Sequence, residues 1–177
     1  ITLTGELDSG SLDVSGNADV DGTLSVGSIS DVESTINSLS TLSFGTNALG
    51  VSGNNVGIGT DALSSRTSGD YNVALGNNAL DANTSGSGNT AIGYQALRDN
   101  TTANQNSAFG FKALIQNTTG SSNNAFGYDT LQANTTGSNN NAFGTSALYL
   151  NTTGTNNNAF GYQALFRNTT GSDNVGI

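Results

Sequence analysis

Residues 106–127 read NSAFGFKALIQNTTGSSNNAFG, in which the pattern Asn-x-Ala-Phe-Gly occurs twice at a distance of 17 residues. The same distance separates a series of glycines along the chain: Gly59, Gly76, Gly93, Gly110, Gly127, Gly144 and Gly161. A leucine stands four residues after each of these glycines, and turns of the NTTG type join one unit to the next. The chain is therefore a tandem repeat of the unit N-x-A-[FIL]-G-x-x-A-L, and a fixed period of this kind governs the fold to be expected.

A unit of 17 residues with two short apolar clusters and a Gly/Asn turn is too short for a pair of helices and suits one coil of a β-solenoid. Stacked coils place identical residues above one another at the inter-strand spacing of about 4.8 Å. We predict an all-β fold, a parallel β-solenoid (β-roll) of eight coils over residues 44–177, with Asn ladders bonded along its axis. The predicted core columns are Leu63, Leu80, Leu97, Leu114, Leu131, Leu148, Leu165, Ile92, Phe109, Phe126, Phe143 and Phe160.

Two shorter segments precede the repeats. Residues 1–28 contain L-x-V-x-G hexads, whose alternation and regular glycines predict short β-strands. These hexads resemble the β-stalks of phage fibres, which implies a β-rich stalk segment, with a plain meander as the alternative. In residues 29–43, the apolar residues are spaced 3-4-3, and residues 30–33 match a capping box. This spacing predicts a short, coiled-coil-like helical neck, which either joins a three-stranded bundle or packs on its own chain. The neck residues are Ile29, Val32, Ile36 and Leu39.

The composition removes most enzyme chemistries. The 177 residues carry a formal charge of −9 and include no His, Cys, Met, Pro or Trp. Because histidine is the usual general base and metal ligand, and cysteine supplies thiolates and zinc sites, we expect no enzyme, no cofactor and no metal site. The aspartates of the repeats form no regular pair in neighbouring coils, so the paired carboxylates of a glycosidase are not expected either.

The same composition limits the partners. The chain has 4 basic residues, which are scattered, so we expect no nucleic acid as a partner. No stretch approaches the roughly 18 consecutive apolar residues of a transmembrane helix, so no membrane span is predicted in this segment.

One column of the repeat is aromatic. The position after the repeated glycine carries Tyr94, Phe111, Tyr128 and Tyr162, and Thr145 interrupts the series. A strip of stacked rings can bind sugar faces, which makes these four residues a possible glycan contact. The alternative is that the rings pack against a neighbouring subunit or cover the turn, as aromatic columns in solenoids usually do.

The Asn-Thr-Thr turns allow three interpretations. Six of them match the N-x-[ST] acceptor pattern for glycosylation: those that begin at Asn83, Asn100, Asn117, Asn134, Asn151 and Asn168. We favour a structural role, in which the Asn forms the turn and the Thr hydroxyls satisfy backbone groups. Regular Thr pairs at the coil spacing also permit an ice-binding face, although a turn beside Gly is a difficult place to build a flat array.

The segments Asn89–Gly93 (NTAIG) and Asn106–Gly110 (NSAFG) resemble the head repeats of trimeric autotransporter adhesins. That resemblance implies a left-handed parallel β-roll in a trimer. With their longer turns, the repeats are also similar to those in tail and appendage fibres of phages and related viruses. The likeness covers residues 44–177, and it implies a homotrimer.

The expectation for function follows from these resemblances. We expect a structural segment of a homotrimeric fibre, located in the virion as a tail fibre or appendage, that supports host attachment. Its implied partners are further copies of itself, other fibre or baseplate proteins, and a host surface glycan or protein. The first alternative is the head region of a trimeric adhesin on the bacterial cell surface, and an ice-binding β-solenoid is the third possibility.

Overall fold

The computed structural model describes residues 54–177. The predicted stalk at 1–28, the predicted neck at 29–43 and the start of the first predicted coil lie outside these described residues. Within them, the chain forms eight short strands: β1 (Val56–Ile58), β2 (Val73–Leu75), β3 (Thr90–Ile92), β4 (Ser107–Phe109), β5 (Asn124–Phe126), β6 (Asn141–Phe143), β7 (Asn158–Phe160) and β8 (Val175–Gly176).

All eight strands belong to one parallel sheet, in which each strand pairs with the next one along the chain. The register is one repeat throughout, so that Ala91 of β3 lies opposite Ala108 of β4 and Phe109 lies opposite Phe126 of β5. The part of the chain that the structure describes contains no helix. The prediction of an all-β parallel solenoid with coils of about 17 residues is therefore confirmed, with about seven coils described.

Hydrogen bonds join neighbouring coils outside the strands as well. The Leu97 N–H donates to the carbonyl of Ala113 at 3.0 Å, and the Thr101 N–H donates to the carbonyl of Thr118 at 3.1 Å. The Thr101 hydroxyl donates to that same Thr118 carbonyl at 3.2 Å, and this bond recurs in the turns on either side. The threonine hydroxyls thus bond to backbone carbonyls, which agrees with the structural role that we favour for the turns.

The apolar interior of the solenoid consists of alanine and leucine. The central residue of each strand from β2 to β7 is a fully buried alanine, and the Ala-Leu pair after the turn faces it. The closeness of this packing is visible at Gly176, where an added Cβ would lie 2.6 Å from Cγ of Leu165. The leucines of the predicted core are fully buried in the middle coils, at Leu80, Leu97, Leu114, Leu131 and Leu148, whereas Leu63 is 6% exposed and Leu165 half-buried.

The prediction that the isoleucine and phenylalanine column of the strands lies in the core is wrong. Ile92, Phe109, Phe126, Phe143 and Phe160 point out of the coil, because each follows the inward-facing alanine of its strand and successive side chains of a strand point to opposite faces. Phe143 is 37% exposed and Phe160 is 44% exposed. The interior between the strand and the opposite Ala-Leu wall is too narrow for a phenyl ring, so alanine takes the inner position and the larger residue the outer one.

Two steric constraints require glycine at the repeated position after each strand. Its φ lies between +127° and +142° in every described coil, a region that L side chains rarely adopt. In addition, a Cβ at Gly110 would lie 2.2 Å from the carbonyl oxygen of Gly127 in the next coil. The turn after each strand therefore fixes both the backbone conformation and the distance between coils.

We expect Gly110→Ala to destabilise the solenoid by about 3 kcal/mol or more, since both the φ value and the neighbouring carbonyl oppose a Cβ. The matched control is Gly88→Ala, whose Cβ would find its nearest heavy atom at 3.8 Å and whose φ of +68° is near that of other side chains in its column. This control should cost about 1 kcal/mol. Urea unfolding midpoints measure both, and equal losses would contradict this account.

Candidate functional site

The outer face of the sheet carries a continuous apolar column, which we call the apolar sheet face. It consists of Ile58, Leu75, Ile92, Phe109, Phe126, Phe143 and Phe160. Its four phenyl rings stack at centroid distances of 4.6, 4.8 and 5.2 Å with interplanar angles of 9° or less. Because the coil spacing sets these distances, each ring lies flat against the next, and the outward edges of the rings form the surface.

A second outward column runs beside the apolar sheet face and changes in character along the rod. It begins with the exposed Val56 and Val73. In the later coils it becomes a ladder of amides, in which Asn124 Nδ2 donates to Asn141 Oδ1 at 2.8 Å and Asn141 Nδ2 donates to Asn158 Oδ1 at 2.9 Å. The outer sheet surface is thus mixed in polarity in the later coils and largely apolar in the earlier ones.

The aromatic column that was predicted as a possible glycan contact is a stack. Tyr94, Phe111 and Tyr128 lie 5.2 and 5.1 Å apart, centroid to centroid, so neighbouring rings cover one another's faces. Lys112 Nζ lies 5.1 Å from the centroid of Phe111. Beyond the interruption at Thr145, Tyr162 is 74% exposed. A sugar needs an open ring face, so the continuous part of this column offers a sugar only the rings at its two ends.

A further aromatic pair was not singled out by the sequence analysis. Tyr149 and Phe166 stack at 5.0 Å in the column after the buried leucines. Their spacing of one repeat is the signal that would have found them.

Two ladders of buried asparagines lie inside the solenoid. The strand-side ladder comprises Asn72, Asn89, Asn106, Asn123, Asn140 and Asn157, and the turn-side ladder comprises Asn83, Asn100, Asn117, Asn134 and Asn151; all are fully buried. In the turn-side ladder, Asn117 Nδ2 donates to Asn100 Oδ1 at 3.0 Å. In the strand-side ladder, the Asn123 N–H donates to Asn106 Oδ1 at 2.9 Å.

One backbone carbonyl per coil connects the two ladders. Asn106 Nδ2 donates to the Gly120 carbonyl at 2.9 Å, and Asn117 Nδ2 donates to the same oxygen at 2.8 Å. In the first described coil, Arg66 takes the place of the turn-side asparagine, and its Nη1 donates to the Gly69 carbonyl at 3.2 Å. Because the N-x-[ST] asparagines of the turn-side ladder are buried and bonded in this way, the folded coil leaves their amides no room for a glycan.

Two charged side chains of the described residues, Arg98 and Asp129, have shifted pKa values. Arg98 and Asp99 form an ion pair at 2.6 Å, and the hydrogen bonds that Arg98 donates to the Asp99 carboxylate raise the pKa of Arg98. Burial raises the pKa of Asp129, whereas the charge of Lys112 opposes this effect. Within residues 54–177, no three acidic side chains come together in a way that would hold a metal ion. In that same range, no helix is long and apolar enough to cross a membrane.

Comparison with family models, with curated proteins and with solved structures gives no match to this chain. The class of protein is therefore given by the fold itself: the described residues form a β-solenoid repeat protein. What distinguishes its surface is the apolar sheet face, which runs along the rod from coil to coil.

We expect Asn106→Ala to destabilise the solenoid by about 2 to 4 kcal/mol, because it leaves the buried Asn123 N–H without its acceptor and removes a donor from the Gly120 carbonyl. Asn124→Ala is the control, since the Asn124 side chain lies on the outer face and bonds only along the partly buried outer amide ladder. It should cost less than about 1 kcal/mol. Chemical unfolding of both variants tests this; similar losses would show that the buried ladder has no special weight.

Asp129→Asn should stabilise the protein at neutral pH, by less than about 1 kcal/mol because water still screens a half-buried carboxyl. The raised pKa means that the folded state holds the Asp129 proton more tightly than the unfolded state. The contribution of Asp129 to stability therefore falls as pH rises from its unfolded pKa to its folded pKa, and the advantage of the variant vanishes below the unfolded pKa. Melting temperatures across a pH series test this prediction, with a substitution of the exposed Asp61, Asp61→Asn, as the control. A stability advantage of Asp129→Asn that is independent of pH would refute the prediction.

Proposed function

We propose that the chain is a non-enzymatic structural segment of a homotrimeric fibre, a phage or virus tail fibre or a similar appendage of the virion, that supports host attachment. The observation that carries this proposal is the apolar sheet face. Its partners are two further copies of the same chain, which pack their apolar sheet faces around a common axis. Other fibre or baseplate proteins then continue the fibre, and the host surface offers the glycan or protein to which it attaches.

The size of the apolar sheet face supports an interface. With side chains such as Phe143 and Phe160 about two-fifths exposed, the column presents roughly 400 Å² of apolar surface, which is in the range of the largest patches on monomeric proteins. Contiguous apolar patches of that size are often functional. The face is also free of Asp, Glu, Lys and Arg along its whole described length, so its burial would desolvate no charge.

The period of the face supports a second copy of the same chain as the occupant. Its side chains repeat once per coil, every 17 residues, which corresponds to about 4.8 Å along the axis. A partner whose side chains match this face ring for ring needs the same spacing. Another copy of the chain has that spacing because it has the same repeat. Closed cyclic symmetry then satisfies the face of every subunit at once. The choice of three subunits follows the resemblance to trimeric fibres and adhesins.

The contacts along the axis support a mechanical role. Strands, the Ala-Leu segment and the Thr turn all hydrogen-bond to neighbouring coils. Seven coils make a rod of about 34 Å at the inter-strand spacing. Stability in such a rod is a sum of coil-to-coil interfaces, so its length can grow without a larger core.

The test is the solution mass of the chain by light scattering. Three chains of 17.8 kDa should give about 53 kDa, and replacing two face residues, Phe126→Asp with Phe143→Asp, should return the mass to that of one chain because two carboxylates cannot be buried at the axis. Leu150→Asp is the matched control, a 36% exposed residue outside the face, and it should leave the assembly intact.

A stable monomer of the unmodified chain would overturn the proposal. Circular dichroism of the double variant must retain the β-sheet signal, so that dissociation is distinguished from unfolding. A monomer that also shows thermal hysteresis would identify an ice-binding solenoid instead.

A further inference from the structure

One surface column of the solenoid has a single vacancy. Its residues precede the strand-side asparagines and all have φ values between 57° and 68°: Tyr71, Gly88, Gln105, Ser122, Asn139, Asn156 and Asp173. Only Gly88 lacks a side chain, and it lies in a shallow, open cavity of about 440 Å³ lined by Tyr71, Ser87, Gly88, Asn104 and Gln105. We call this cavity the Gly88 notch.

Packing does not require the glycine. A Cβ at Gly88 would be 3.8 Å from its nearest heavy atom, Cγ of Gln105, which is an ordinary contact. From Tyr71 to Asp173, every other coil carries a side chain in this column with the same backbone conformation. The vacancy is therefore a property of the surface at this coil and not a steric necessity of the fold.

The wall of the notch is an open aromatic face. Tyr71 is 66% exposed, and the next residue of its column is Gly88, so no side chain in that position covers its ring. This distinguishes Tyr71 from Phe111, whose two faces are covered by Tyr94 and Tyr128. An uncovered ring beside a cavity can stack against an apolar ligand face.

The polar groups of the notch are held in place and still have capacity to bond. Asn104 Oδ1 accepts the Ser87 N–H at 2.8 Å, and Ser87 Oγ accepts the Asp70 N–H at 3.1 Å. These bonds fix both side chains and leave the Asn104 Nδ2 group and the Ser87 hydroxyl proton as donors. The side-chain amide of Gln105, which has no hydrogen bond within residues 54–177, adds a further donor and an acceptor.

The charge of the surroundings favours a neutral ligand. None of the four basic residues of the chain lines the notch. The carboxylate of Asp70 lies next to Tyr71 in the sequence, and the net charge of the chain is −9. An anionic sugar would meet repulsion and find no cation to pair with.

We propose that the Gly88 notch binds a neutral pyranose residue of a glycan. The C–H face of the pyranose stacks on Tyr71, and its hydroxyls bond to Asn104, Ser87 and Gln105. This assignment rests on the proposed function in host attachment, for which it names the class of receptor. The test of sugar binding does not depend on the number of subunits.

The experiment is saturation-transfer difference NMR on the full chain with methyl glycosides of glucose, galactose and mannose and with N-acetylglucosamine. At least one should show transfer concentrated on its C–H face. Gly88→Asn should weaken binding about tenfold or more by filling the notch; asparagine already occupies this column at Asn139 and Asn156 with the same backbone conformation, so the coil should remain folded. Tyr71→Ala should have a similar effect, and Tyr71→Phe should retain binding.

Asn139→Gly is the matched control. It opens a vacancy in the same column between Ser122 and Asn156, without an aromatic wall, and should neither abolish nor create binding. N-acetylneuraminic acid, measured in the same way, is the anionic comparison. The proposal is overturned if no neutral sugar shows transfer, if Gly88→Asn binds as well as the unmodified chain, or if only N-acetylneuraminic acid binds. A trimer by light scattering without sugar binding would remove this inference and leave the fibre proposal standing, and a monomer that binds sugar would do the reverse.

Discussion

The structure depends on the register of one repeat between neighbouring coils. Every strand pairing, every step of the buried asparagine ladders and every stacked ring joins residues that are 17 positions apart. The buried amides make this register strict, because a slip by one residue would place Asn106 away from the Gly120 carbonyl and Asn117 away from the Asn100 amide oxygen that it bonds in the neighbouring coil. Leaving such groups unpaired costs about 1 to 3 kcal/mol each, repeated in every coil.

The sequence predicted the coil, its period and the ladders, since these follow from spacing alone. It did not predict which apolar residue of the strand faces inward, because both Ala108 and Phe109 are compatible with a core and hydrophobicity favours the larger. The signal was variation: the inward position is alanine in every strand from Ala74 to Ala159, whereas the outward position changes among Leu, Ile and Phe. A narrow interior accepts side chains of one size, whereas an outer surface accepts side chains of several sizes.

The surface features were less accessible to sequence reasoning. The aromatic column was visible as a series, but the stacking of Tyr94, Phe111 and Tyr128 on one another, which covers their faces, depends on the coil spacing and the ring orientation. The Gly88 notch was not found, because a glycine between Ser87 and Asn89 looks like one more turn residue. Only the stacked columns reveal that Gly88 is a missing side chain and that Tyr71 lies beside it.

The identical geometry of successive coils has a consequence for how such a chain changes over generations. Since each coil contacts only its neighbours through the same register, loss or gain of one whole repeat by unequal recombination joins two coils that already fit. The reading frame, the buried ladders and the outer columns all continue across the junction. One recombination event can thus lengthen or shorten the rod by one coil. A local feature such as the Gly88 notch is then shifted along the rod or duplicated together with its coil.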